Sequence, residues 1–74
     1  MAVKDPLLLK FGDNVRRRRN SRGFSQDELA SEAGIHRTFI SGIERGVRNA
    51  GLLSVIRIAK ALNTTSAKLM EGLD

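Results

Sequence analysis

The sequence predicts an all-α bundle of five short helices. Apolar residues recur at intervals of three and four, as on one face of a helix: Leu8, Phe11 and Val15, and later Leu52, Val55, Ile56, Ala59 and Leu62. Residues that start or stop helices stand at the borders of these stretches. No stretch alternates apolar and polar residues in the manner of a half-buried strand. The 74 residues hold one small core, and a hydrophobic fraction of 41% points to a folded chain rather than a disordered one.

Each helix has its own signals. Asp5-Pro6 opens the first: Asp caps free N–H groups, and Pro suits the first helical position. Residues 1–5 read as a tail and 6–74 as the domain. Gly23 suits the stop of this helix, while Gly12 inside it costs helix propensity and suits close packing. Ser25 and Glu28 form an S-x-x-E capping box after Phe24, and Leu29, Ala30 and Ala33 supply the inner face of the second helix. Gly34 ends it, with positive φ expected. Ile35 packs inward, His36 caps the third helix, and Phe39, Ile40 and Ile43 are its apolar positions. Gly46 ends it, and 47–51 is a loop. The fourth helix carries the later apolar stripe and stops at Asn63. Thr65 caps a short fifth helix with Leu69 and Met70.

Composition narrows the function. Cysteine is absent and His36 is the sole histidine, so a zinc site is not expected and neither is any cofactor. A nucleophile with an orienting base, or a phosphate loop, is not recognisable, so an enzyme is not expected. Apolar runs fall far short of the ~20 residues that span a bilayer, and the N-terminal one is short for a secretion signal, so a cytoplasmic protein is expected. The formal charge is +5, unevenly spread: residues 1–24 sum to +5, 25–50 to −1 and 51–74 to +1. Such a balance suits nucleic acid, an anionic membrane surface or a solvated basic face.

The segments VRRRR, SQDELA, AG, ISGIERG and IAKAL together resemble the helix-turn-helix of the XRE (Cro and phage-repressor-like) family, from about Phe11 to Leu69. Within that family, HRTFISGIERGVRN is similar to the controller proteins of restriction-modification systems. The resemblance implies a repressor-like five-helix domain with its helix-turn-helix at about 25–45. It further implies a third helix that enters the major groove, a symmetric homodimer, and a nucleoid-associated transcription regulator of double-stranded DNA. No domain for a small-molecule effector is recognisable.

Candidate DNA-binding residues follow from chemistry and resemblance together. Arg37 can bond guanine O6 and N7, and Thr38 can meet a base edge, a thymine methyl or a phosphate. Ser41 lies one turn later, and Gly42 lets the helix approach closely. Gln26 can donate its amide to a phosphate, and His36 is a cap or phosphate neighbour. Arg45, Arg48 and Asn49 can grip the flanking backbone. Of Arg16 to Arg19, which point around most of the helix, Arg19 is paired by resemblance with Glu44 in a structural ion pair. The stem of Arg18 is expected to cover the core, and Arg16 and Arg22 are candidates for long-range attraction or phosphate contact. At the C-terminus, Leu69, Met70 and Leu73 either close the core of one subunit or form a dimer contact, the latter following the resemblance. An antitoxin-like module that also binds DNA is the alternative function, motivated by Leu53 and the apolar C-terminus.

Overall fold

The computed structural model describes residues 5–74. Five helices follow in order: α1 (Pro6–Ser21), α2 (Gln26–Ala33), α3 (Arg37–Glu44), α4 (Leu52–Ala61) and α5 (Ser66–Leu69). Asp5 caps α1 by accepting from the Leu7 N–H at 2.8 Å, so the folded unit already includes Asp5. The rest of the expected tail, 1–4, lies outside the described residues.

Local chemistry sets the borders of these helices. At α2 the capping box is complete: Ser25 Oγ accepts from the Glu28 N–H at 3.0 Å, and Glu28 Oε1 accepts from the Ser25 N–H at 2.8 Å. His36 caps α3 and Thr65 caps α5 with side-chain acceptors. Four helices stop by one device, in which a residue in the left-handed region is followed by a residue whose N–H reaches five positions back. Phe24 bonds Arg19, Ile35 bonds Ala30, Val47 bonds Gly42 and Thr64 bonds Ala59, at 2.9–3.1 Å. Three of these follower residues are apolar, and two of them, Phe24 and Ile35, pack back against the core, as the helix-ending motif favours. Gly34, at φ 69, thereby reverses the chain in the three residues between α2 and α3.

Packing runs in a ring: α1 lies against α3 and α5, α2 against α3 and α4, and α4 against α5. The centre is filled by Val15, Leu29, Ile40, Ile43, Ile58 and Leu69, all with relative exposure below 2%. Gly12 is where α1 touches the end of α3: a Cβ there would collide with the Ile43 carbonyl and sit 2.8 Å from that of Glu44. The close packing expected of this glycine is therefore a helix-to-backbone contact.

Two apolar assignments change. On α4 the buried stripe is Val55, Ile58, Ala59 and Leu62, and Ile58 is fully enclosed. Ile56 is only half-buried, and Leu52 stays 76% exposed because the first turn of α4 lies at the edge of the bundle. At the C-terminus, Leu69 is fully buried within its own subunit. It cannot also present a side chain to a second copy, and it is removed from the expected dimer contact. Met70 is 45% exposed and Leu73 half-buried, so both remain accessible.

Candidate nucleic-acid interface

Helix α3 is anchored on one side and open on the other. Ile40, Ile43 and Glu44 are buried, and they fall together on one side of the helix. Successive helical residues turn by about 100°, so Thr38, Ser41 and Arg45 fall within about 60° of one another on the opposite side, and Arg37, in the first turn, stands at the border between the two sides. Arg37, Thr38 and Arg45 are exposed and Ser41 is half-buried. One cationic, hydroxyl-bearing strip thus runs the length of the helix. At its N-terminal end the His36 ring takes the Thr38 N–H and the His36 carbonyl takes those of Phe39 and Ile40, while the positive end of the helix dipole still favours anions.

At that end, His36 Nδ1 accepts from the Thr38 N–H at 3.2 Å and lies 2.7 Å from Thr38 Oγ1. The tautomer that accepts at Nδ1 carries its proton on Nε2, which leaves an exposed ring donor beside the helix start. His36 and Thr38 therefore act as one unit: the ring fixes the threonine hydroxyl. Arg37 Nε pairs with Asp27 Oδ1 at 3.0 Å, bridging the first turns of α2 and α3.

A buried polar cluster fixes α3 against the rest of the domain. Glu44 has a side chain only 3% exposed. Its carboxylate accepts from Arg19 Nε at 2.6 Å, from Arg19 Nη2 at 2.9 Å and from Gln26 Nε2 at 3.2 Å. Arg19 Nη1 donates to the Phe24 carbonyl at 2.8 Å. One carboxylate thus joins α1, α2 and α3, and the bond to Glu44, outweighing desolvation, holds the Arg19 guanidinium above its ordinary pKa. The Arg19–Glu44 pair expected from resemblance is present. The third member, Gln26, is unexpected: one of its amide hydrogens is used inside the protein, and its second remains for a ligand.

The loop after α3 folds back on the helix. Arg48 lies over the Phe39 ring, 5.0 Å from its centroid, and its side chain covers Gly42, where a Cβ would meet Arg48 Cβ at 3.2 Å. Gly42 is therefore buried under Arg48, and the close approach expected of it is an approach to its own loop. Phe39 sits at the core edge, half-buried beneath that arginine. Arg48 and Asn49 are exposed beside the strip, although Asn49 also borders an apolar groove with Leu7, Phe11 and Met70.

The arginine run divides as its helical spacing requires. Arg16 and Arg17 both pair with Asp13, Arg17 at 3.1 Å. Arg18 is half-buried, Arg19 joins the Glu44 cluster, and Arg22 covers the Phe24 ring at 5.2 Å. Most of this charge is tied into the fold. Sequence reasoning missed Asn14, which is 4% exposed and donates to the Leu69 and Glu71 carbonyls at 3.0 and 2.8 Å. It fastens the end of α5 to α1. Its polar residue type at a buried helical position was the only available signal. Among the described residues, no group of His, Cys, Asp and Glu could hold a metal ion, and no helix is long and apolar enough to cross a membrane.

The comparisons with known proteins agree with this geometry. A helix-turn-helix family model matches residues 15–69. Control protein C.SmaI of Serratia marcescens is 48% identical over 70 residues, covering 95% of this chain and 79% of that protein. The crystal structure of the restriction-modification controller protein C.AhdI from Aeromonas hydrophila superposes with a TM-score of 0.82 at 39% identity, covering 84% of this chain and 94% of its own. The restriction-modification controller protein C.Esp1396I, crystallised as a tetramer with its natural 35 base-pair operator, matches with a TM-score of 0.83 at 35% identity, covering 93% of this chain and 91% of its own.

Proposed function

The chain belongs to the XRE-type helix-turn-helix family, and from that premise we propose that it is a sequence-specific, double-stranded-DNA-binding transcription regulator of the restriction-modification controller kind. The observation that carries the reading is the strip of Arg37, Thr38, Ser41 and Arg45, held outward on the buried Ile40 and Ile43. In a helix-turn-helix, the N-terminal residues of the second helix meet base edges in the major groove. Arg37 and Thr38 are those residues here. Arg37 reads guanine, Thr38 and Ser41 supply hydroxyl contacts, and His36, Gln26, Arg45, Arg48 and Asn49 hold the phosphates and fix register.

The protein acts as a homodimer on a palindromic operator, with two copies of α3 in half-sites about 34 Å apart. Support comes from the accessible apolar surface of Met70 and Leu73, and from the tetramer in which C.Esp1396I was crystallised on its operator. Its place is the cytoplasm, associated with the nucleoid. Selection of bound duplexes from a random pool, followed by gel shift, tests the reading. Recovery of one palindromic sequence is expected; equal affinity for every duplex overturns it. A second reading, an antitoxin-like module holding a protein partner, draws on the exposure of Leu52 and Leu53 at 76% and 66%. Copurification of a stoichiometric second protein, lost in Leu53→Ser, supports it, and a lone dimer counts against it.

A further inference from the structure

We infer that Asp27 is a positioning residue for base selectivity: it holds Arg37 by Nε, so that the guanidinium meets its base with the two Nη groups. This rests on the DNA-binding reading given above.

The pair joins the first turns of the two helices, Arg37 Nε to Asp27 Oδ1 at 3.0 Å. Its side chains are 59% and 75% exposed, and an ion pair so exposed adds little to stability. Nor is Asp27 needed to start α2, because Ser25 and Glu28 complete the capping box without it. Its effect falls instead on the orientation of Arg37. A free arginine samples many rotamers and loses that freedom on binding. Guanidinium has five N–H donors in a planar fork. The contact with Asp27 is at Nε, and the outer N–H groups of the two Nη nitrogens lie at the far end of the planar fork, a geometry suited to end-on pairing with guanine O6 and N7. When a duplex excludes water from the site, the weak surface pair strengthens in the lower dielectric.

An acid at this place also carries a cost. It sets a negative charge beside a polyanionic ligand, and brings the net charge of residues 25–50 to −1. Removing it therefore moves affinity and selectivity in opposite directions. A carboxylate that merely favoured the helix start would shift the melting temperature and leave base preference alone.

The experiment compares the full chain with Asp27→Asn, Arg37→Ala and the double variant. Each is titrated with the duplex selected by the parent protein, with every single-base-pair change of that duplex, and with an unrelated duplex. The position that Arg37 reads is the one where Arg37→Ala loses discrimination. Asp27→Asn is expected to bind the unrelated duplex at least as tightly as the parent. Its discrimination at the position of Arg37 should fall by about threefold to tenfold, with other positions unchanged. In the Arg37→Ala background, Asp27→Asn should change no discrimination. Unaltered base preference in Asp27→Asn overturns the inference, as does a loss that persists without Arg37. A parent protein with no base preference removes the DNA reading first, and this inference with it.

Discussion

Glu44 is the residue on which the recognition helix depends. A buried carboxylate is costly unless its acceptor positions are filled, and here Arg19 and Gln26 fill them with three hydrogen bonds. Truncating one partner of a buried pair costs about 3–5 kcal/mol, because the other charge is left without a partner. Glu44→Ala should therefore lose most of the stability of a domain this small. Thermal melting followed by circular dichroism checks it; a melt within a degree or two of the parent would show that the cluster is not a clamp. At the strip itself, Arg37→Ala should cost about 1–3 kcal/mol at the preferred site and relax selectivity there. Titration of both duplex classes separates this from a general loss of affinity. The sequence spacing indicated Thr38, Ser41 and Arg45 as outward residues of α3, since helical geometry divides them from Ile40 and Ile43, whereas Arg37 is exposed in the first turn of the helix. It was silent on Arg37–Asp27, Gln26–Glu44 and Arg48 over Phe39. These contacts depend on how turns bring separate segments together, and no periodicity within one helix encodes that.

The helices are defined chiefly by their ends. Caps were legible because each is a local pattern: Asp5-Pro6, Ser25 with Glu28, Gly34, Asn63 and Thr65 all act where they stand in the chain. The buried face of α4 was harder to read. Leu52, Val55, Ile56, Ile58, Ala59 and Leu62 offer overlapping stripes, and only the position of α2 and α5 selects the one that includes Ile58. The Ser25 backbone N–H, and then its hydroxyl, hold the Glu28 carboxyl below its ordinary pKa. A lowered folded-state value means that this stabilisation is present above the unfolded pKa and fades as pH falls through the folded one. Melting temperature should accordingly fall more steeply with acidification in the parent than in Glu28→Gln, with the difference between them shrinking below the ordinary glutamate range. Parallel curves would contradict this. In addition, Gly12→Ala drives a Cβ into the backbone at the end of α3. Overpacking of this kind costs about 1–3 kcal/mol, despite the better helix propensity of alanine. A denaturant titration checks the sign, and a more stable variant would show that α1 and α3 can separate without penalty.

Across the whole molecule, the net charge and the strip on α3 lie in different places. Residues 1–24 carry the net charge of +5, whereas residues 25–50, which contain the strip, sum to −1. Yet Arg16, Arg17, Arg19 and Arg22 are engaged by Asp13, Glu44 and Phe24, so much of the basic run serves the fold. Attraction to a duplex is long-range and salt-sensitive, while the proposed reading assigns choice among duplexes to a few side chains of α3. Arg48→Ala should weaken binding to all duplexes alike and reduce the salt slope by about one unit. A loss confined to one base position would reassign Arg48 to readout. The fold class was legible in the sequence at this scale, through pattern and resemblance. The dimer contact was not, because whether Leu69 faces inward or outward is decided by the closing of α5 on α1 and α4. The most direct measurement is the selection of duplexes from a random pool by the full chain, repeated with Arg37→Ala. One palindromic sequence, with a base position in each half whose preference disappears in the variant, is the expected result. A pool that stays random with the parent protein, or a preference untouched by Arg37→Ala, would contradict it.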